Sequence, residues 1–218
     1  MSADSDAQIS SNNHRIKTMT SRRPVCARCQ RPQSVCYCPQ LPAPIANHWP
    51  IHIFQHVREQ HHAIGTARIA QLGLQDCHTR TVMDEKVITA LPANAVLVYP
   101  GEQSTAVEEW DVAEPRPLIF LDGSWRKAQR MLLGSPALQN LPQISFVPEA
   151  RSRYRIRKAP DPLFHSTLEA ITHVLGVLER DAEKYAPLLA VMDWMVDQQI
   201  AAMGEATYLA NHARPKRD

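Results

Sequence analysis

Apolar runs of five or six residues, closed by Pro, Gly, Asp or His, recur along this chain and alternate with longer segments of helical period. The stretches "IHIFQH" (51–56), "AVLVYP" (95–100), "PLIFLD" (117–122) and "ISFVP" (144–148) read as strands, and "TRTVM" (79–83) adds another. Segments 60–72, 103–110, 123–134, 165–180 and 185–208 read as helices. Nearly continuous apolar runs belong to strands covered on both faces, and intervening helices supply the crossovers that parallel strands need. The expected fold is therefore α/β, a mostly parallel sheet flanked by helices. Ligands in such folds bind beyond the carboxyl ends of the strands. Both "VYPGEQS" (98–104) and "LDGSW" (121–125) fall there.

The rest of the chain divides around that block. Residues 1–21 are polar and Ser/Asn-rich without an apolar signal core, so a disordered tail is expected. No apolar run approaches the ~18 residues that a membrane span requires. A cytoplasmic, reducing location follows as an expectation, and there clustered cysteines bind metal more often than they pair. Four of the five cysteines sit in "CARCQRPQSVCYC": Cys26, Cys29, Cys36 and Cys38. Four soft thiolates over so short a loop suit Zn2+ in a closed, structural site, with an iron–sulfur cluster as the alternative. Residues 22–48 thus read as a zinc knuckle with a Pro-rich linker, and 49–218 as the main domain. Cys77 reads as a small buried hydrophobe. In the last helix, Leu189, Met192, Val196, Ile200 and Met203 form a packing stripe.

The formal charge of +2 on 218 residues does not by itself indicate a nucleic-acid binder. Its distribution is more informative. In "RSRYRIRKAP" (151–160) an extended backbone would set Arg151, Arg153, Arg155 and Arg157 in one row, with Lys158 beside it. Ser152, Tyr154 and Ile156 would face the other way. Such a row suits RNA phosphates, and Arg28 and Arg31 near the cysteines suit the same partner. A solvated edge strand is the bland alternative.

Asp122 is the residue that simple folding does not explain. A strand, a Gly123 turn and a helix capped by Ser124 account for their neighbours, with Trp125, Ala128, Leu132 and Leu133 on the packed face. A carboxylate at a buried strand end is a candidate proton acceptor or positioning group.

Asp122-Gly123-Ser124-Trp125, Arg157-Lys158-x-Pro160 and Ser166-Thr167-x-Glu169-Ala170, behind the four cysteines, resemble the DTW-domain family. "VYPG" (98–101), His56-x-x-Glu59 and Gly65-Thr66 extend the resemblance over most of the chain, although Ser124 replaces the family's threonine and Gly65 its usual asparagine. The resemblance implies a SPOUT-like fold with a C-terminal trefoil knot. It also implies transfer of the 3-amino-3-carboxypropyl group of S-adenosylmethionine (SAM) to N3 of a uridine in the tRNA variable loop, as in the family's bacterial members. Catalytic roles would fall to Asp122, Ser124 and Trp125. SAM would be held by Tyr99, Pro100, Gly101, Leu121, Gly123, Ser166, Thr167 and Glu169. The partners would be tRNA and SAM, with no membrane and no obligatory protein partner. RNA methylation from SAM and a zinc-stabilised, non-catalytic RNA-binding module are the rival readings.

Overall fold

A computed structural model describes residues 24–213 except 61, 63, 84–87, 111–113 and 157–163, with backbone only at 212–213. The N-terminal tail, Arg157 and Lys158 lie outside the described residues.

Among the described residues, six strands form one parallel sheet: β1 (Ile51–His56), β2 (Cys77–Val82), β3 (Val96–Val98), β4 (Thr105–Ala106), β5 (Leu118–Asp122) and β6 (Gln143–Ser145). Their order is β2-β1-β5-β3-β6-β4, and every pairing is parallel. Strand alternation sorts side chains between two cores. Ile51, Ile53, Val96, Val98, Leu118 and Phe120 face helices α1 (Ala67–Gly73), α4 (Thr167–Leu178) and α5 (Ala186–Met203). Phe54, Leu97 and Ile119 face α2 (Trp125–Leu133) and α3 (Pro136–Gln139). Full burial of each Leu or Ile contributes about 1.5–3 kcal/mol, so these strands organise the molecule. Where α1 ends against α5, a Cβ on Gly73 would lie 2.3 Å from Leu188 Cδ2, which explains a glycine inside that helix.

The expected strands are present within a few residues, and three segments differ. The helix expected over 103–110 is instead β4 followed by a 3₁₀ turn at Val107–Glu109. Thr105 and Ala106 pair with Ile144 and Ser145, while Ser104 Oγ donates to Gly101 O at 2.7 Å, so the edge of the sheet takes the backbone. The arginine segment is not a strand. Its backbone is spent on side chains: Arg153 N donates to Glu169 Oε1 at 2.7 Å and Tyr154 N to Ser152 Oγ at 3.1 Å. The two-faced pattern nevertheless holds, with Arg151, Arg153 and Arg155 exposed and Tyr154 and Ile156 buried. The last helix breaks at Gly204, whose φ of 82° ends α5 before the short α6 (Glu205–Tyr208). Its fully packed face is Leu188, Val191, Met192, Met195 and Val196, so the expected stripe is rotated slightly.

Candidate active site

The parallel register of β1 and β5 sets Gln55 opposite Asp122, and both point to the α4 face. Gln55 Nε2 donates to Asp122 Oδ2 at 2.8 Å. Thr167, first residue of α4, donates from Oγ1 to Asp122 Oδ1 at 2.5 Å. Gln55 and Thr167 thus help to hold this buried carboxylate in place. The sequence puzzle of an acid at a strand end is resolved by partners 67 and 45 residues away.

On one side of this tip lies an apolar cavity of about 310 Å³. It opens beyond the carboxyl ends of β3, β5 and β6, where α/β ligand sites form. Tyr99 and Pro100, Leu121 and Gly123, and Ser166 and Thr167 line it from three separate segments. Trp125 forms an aromatic wall, its ring 4.5 Å from Phe164 and 6.1 Å from Tyr99 between centroids. Burial raises the Tyr99 phenol's pKa, so it stays neutral at physiological pH.

A second cavity of about 300 Å³ adjoins the first and is more polar. Asp122, Ser124, Thr66, Glu59 and His62 line it, and it shares Gly123 and Thr167 with the apolar cavity. Lys127 Nζ bridges to Glu59 Oε1 at 2.6 Å, tying the first turns of α2 to the loop after β1. Gly123 eases that approach: a Cβ there would sit 3.0 Å from Lys127 Cβ, a tight contact. Its φ is not positive, so the constraint is space rather than the expected tight turn.

Several expected roles change. Ser124 occupies the N-cap position of α2, but its side chain makes no capping bond and instead lines the polar cavity. Leu133 is 65% exposed, and Ala128 with Met131 forms the packed face of α2. Glu169, expected to hold SAM, does not line the apolar cavity. It completes a capping box with Ser166 and also accepts from Ser152 Oγ and Arg153 N, at 2.8 and 2.7 Å. Gly101 is just outside that cavity, bonded to Ser104. Arg153 pairs with Asp193, and Arg155 with Asp197 at 2.5 Å, so helix α5 neutralises part of the arginine row. Sequence reasoning assigned no site role to Gln55 or Lys127, and Glu59 and Thr66 entered only as motif residues of the family resemblance. A glutamine inside the apolar run of β1 was the available signal for the first.

The four cysteine sulfurs fit a tetrahedral metal. All lie within 4.8 Å of one another, with Cys26–Cys38 at 3.8 Å and Cys29–Cys36 at 3.6 Å. A tetrahedron of ~2.3 Å metal–sulfur bonds has edges of about 3.8 Å. The Cys26 thiol is held down to about 6 by the backbone N–H groups of Cys29 and Arg28, whereas burial and the neighbouring thiols push Cys38 up to about 12. Thiols so crowded need a cation before all four can ionise. Cys77 is partly buried, and burial raises its thiol to about 12. Arg31, expected to meet phosphate, is turned inward. It is buried over the Tyr37 ring and donates to Met195 Sδ at 2.8 Å, clamping this segment to α5.

Residues 23–200 match the DTW domain family. The chain is similar to tRNA-uridine aminocarboxypropyltransferase 2 of Drosophila melanogaster, at 34% identity over 193 residues, covering 83% of this chain and 76% of the fly protein. The Mus musculus protein of the same name is 29% identical over 175 residues, covering 73% and 58% of the two chains. tRNA-uridine aminocarboxypropyltransferase A of Arabidopsis thaliana is 26% identical over 212 residues, 80% of each. The chain thus spans little more than half the length of the mouse relative. These relatives are eukaryotic, where the sequence motifs had pointed to bacterial members. No solved structure matches the chain.

Proposed function

The chain belongs to the DTW domain family, and from that premise we propose that it transfers the 3-amino-3-carboxypropyl group of SAM to N3 of a tRNA uridine. The names of its fly, mouse and plant relatives support the reaction class. The observation that carries the reading is the junction at Asp122: an apolar, aromatic-walled cavity and a polar cavity share Gly123 and Thr167.

SAM, the donor substrate, occupies the apolar side. Trp125 and Tyr99 offer faces to its adenine or sulfonium, since cations favour aromatic rings. Tyr99, Pro100, Leu121, Gly123, Ser166 and Thr167 enclose it, with Gly101 at the margin. The uracil enters the polar side as an unstacked base, which is cheapest from a loop and fits the variable loop. Asp122 takes the N3 proton or orients the base, and Ser124 hydrogen-bonds the ring or the amino-acid arm. N3 then attacks the arm's carbon next to sulfur. The N–C bond forms as the C–S bond breaks, and the electron pair leaves on sulfur as neutral methylthioadenosine. Attack requires about 3 Å and an in-line leaving group, and the two adjoining cavities would bring donor and acceptor together at Asp122.

The four cysteines hold Zn2+ in this reading, and a closed four-thiolate shell gives it a structural role. The SPOUT-like knot belongs to the same reading, supported by the all-parallel sheet and the cavity at its carboxyl edge. Arg151, Arg153 and Arg155, continued by Arg157 and Lys158, supply phosphate contacts, with the first three exposed. Among the described residues no helix is long and apolar enough to cross a membrane, and we place the activity in the cytoplasm.

Incubation with SAM and unmodified tRNA should release methylthioadenosine and yield a uridine heavier by the arm, read by mass spectrometry. Adenosylhomocysteine as the by-product, or methylthioadenosine without a mass gain in the RNA, would overturn the assignment.

A further inference from the structure

A trough of about 290 Å³ between the cysteine segment and the sheet takes no part in the chemistry above, yet it adjoins the acceptor side of the site. We propose that it is a second nucleotide subsite, receiving an unpaired base adjacent to the modified uridine. The inference rests on the tRNA reading of the preceding section.

Continuity is the first reason. Glu59, His62 and Gly65 line both the trough and the polar cavity. Gln55, whose Nε2 holds Asp122, also lines the trough, so its far wall is one side chain from the reaction centre.

Chemistry is the second. Gln30, Gln60 and Gln71, which carry amides, line the trough together with Thr79 and Thr81. An amide offers both donor and acceptor, as a base edge requires. Thr79 Oγ1 is enclosed without a hydrogen-bond partner. The charge balance also favours RNA. Arg68 lines the trough, whereas Glu59, its acidic residue, is already neutralised by Lys127.

Preorganisation is the third. Arg68 donates from Nε and one terminal nitrogen to Arg28 O, at 3.2 and 2.5 Å, and from the other to Gln71 Oε1 at 2.6 Å. That grip joins α1 to the cysteine turn. Gln30 is held at φ 63° within the turn closed by Cys26 N to Arg31 O at 2.7 Å. Such a backbone is uncommon outside glycine and asparagine, and it fixes where Gln30 stands. The volume suits a single base rather than a duplex, as sequence-specific RNA readers require.

Zero-length ultraviolet crosslinking of the full chain to unmodified tRNA, read by peptide mass spectrometry, tests the subsite without needing turnover. Crosslinks at 30, 60, 71 or 79–81 are expected; crosslinks confined to other surfaces overturn the proposal. In kinetics, Thr81→Trp fills the trough, and Gln60→Ala removes one exposed amide with little risk to the fold. The filled variant should raise KM for tRNA about tenfold, and Gln60→Ala roughly threefold, with kcat and SAM affinity near wild type. Unchanged KM in both variants of an active enzyme overturns the subsite alone. A wild-type protein that crosslinks in the trough but transfers nothing keeps the subsite and removes the reaction.

Discussion

Three buried carboxylates lie along α4, and they do different things. Asp122 meets the helix at Thr167, Glu169 closes its first turn, and Glu179 caps its far end. Glu169 is consumed by the protein: Ser152 Oγ, Arg153 N and, in the capping box, Ser166 N use both oxygens. Glu179 likewise takes His48 N, Lys184 Nζ and Tyr185 Oη, joining the Pro-rich linker to the α4–α5 turn. Asp122 is as enclosed, but it borders a cavity large enough for a ligand. Burial and hydrogen bonding therefore do not distinguish Asp122 from the other two. Access to empty volume does.

The contrast can be broken most sharply at Asp122. Asp122→Asn keeps the shape and one of the two acceptor oxygens but removes the base, so transfer should fall by about 10²–10⁴ while SAM and tRNA binding survive. Near-normal rates in that variant would reduce Asp122 to the status of Glu169. Glu169→Ala should act mainly on the fold, leaving Ser152, Arg153 and the α4 N-terminus short of partners. A stability loss of about 2–3 kcal/mol in urea titration is expected, with residual activity tracking the folded fraction. Thr167→Val sits between the two cases. It deletes one donor to Asp122 without opening a cavity, and transfer should drop about tenfold with little change in melting temperature.

Glu179 gives the smallest effect and a signature in pH. Burial alone would raise its pKa, but Lys184, the Tyr185 hydroxyl and His48 N–H outweigh that and hold the carboxyl below its ordinary value of 4.5. A folded pKa below the unfolded one means stabilisation present above about pH 4.5 and lost as pH falls through the folded value. Glu179→Gln should thus cost about 1 kcal/mol at pH 7. Its melting curve should converge with wild type in strong acid, and a constant gap across the acid limb would contradict the assignment.

How much of this was legible beforehand depends on the range of the forces involved. The strands, the metal-ready cysteines and the oddity of Asp122 were all visible, because apolar period, ligand spacing and a misplaced charge are local properties of the chain. The alternation in 151–156 was visible too, though its strand was not, since the carboxylate that captures Arg153 N comes from α4. Ser166-Thr167-x-Glu169 stood out as a motif, yet it divides into a helix cap and a partner of Asp122 only when Asp122 approaches Thr167.

What the amino-acid order determined alone is the α/β plan and the inventory of reactive groups, since both follow from periodicity and chemistry within short windows. Only tertiary structure decided which groups share a site. Parallel register brought Gln55 to Asp122, helix α5 neutralised two of the arginines, and Glu169 was drawn into a cap. Those outcomes depend on contacts between residues far apart in the chain, and no local pattern encodes them.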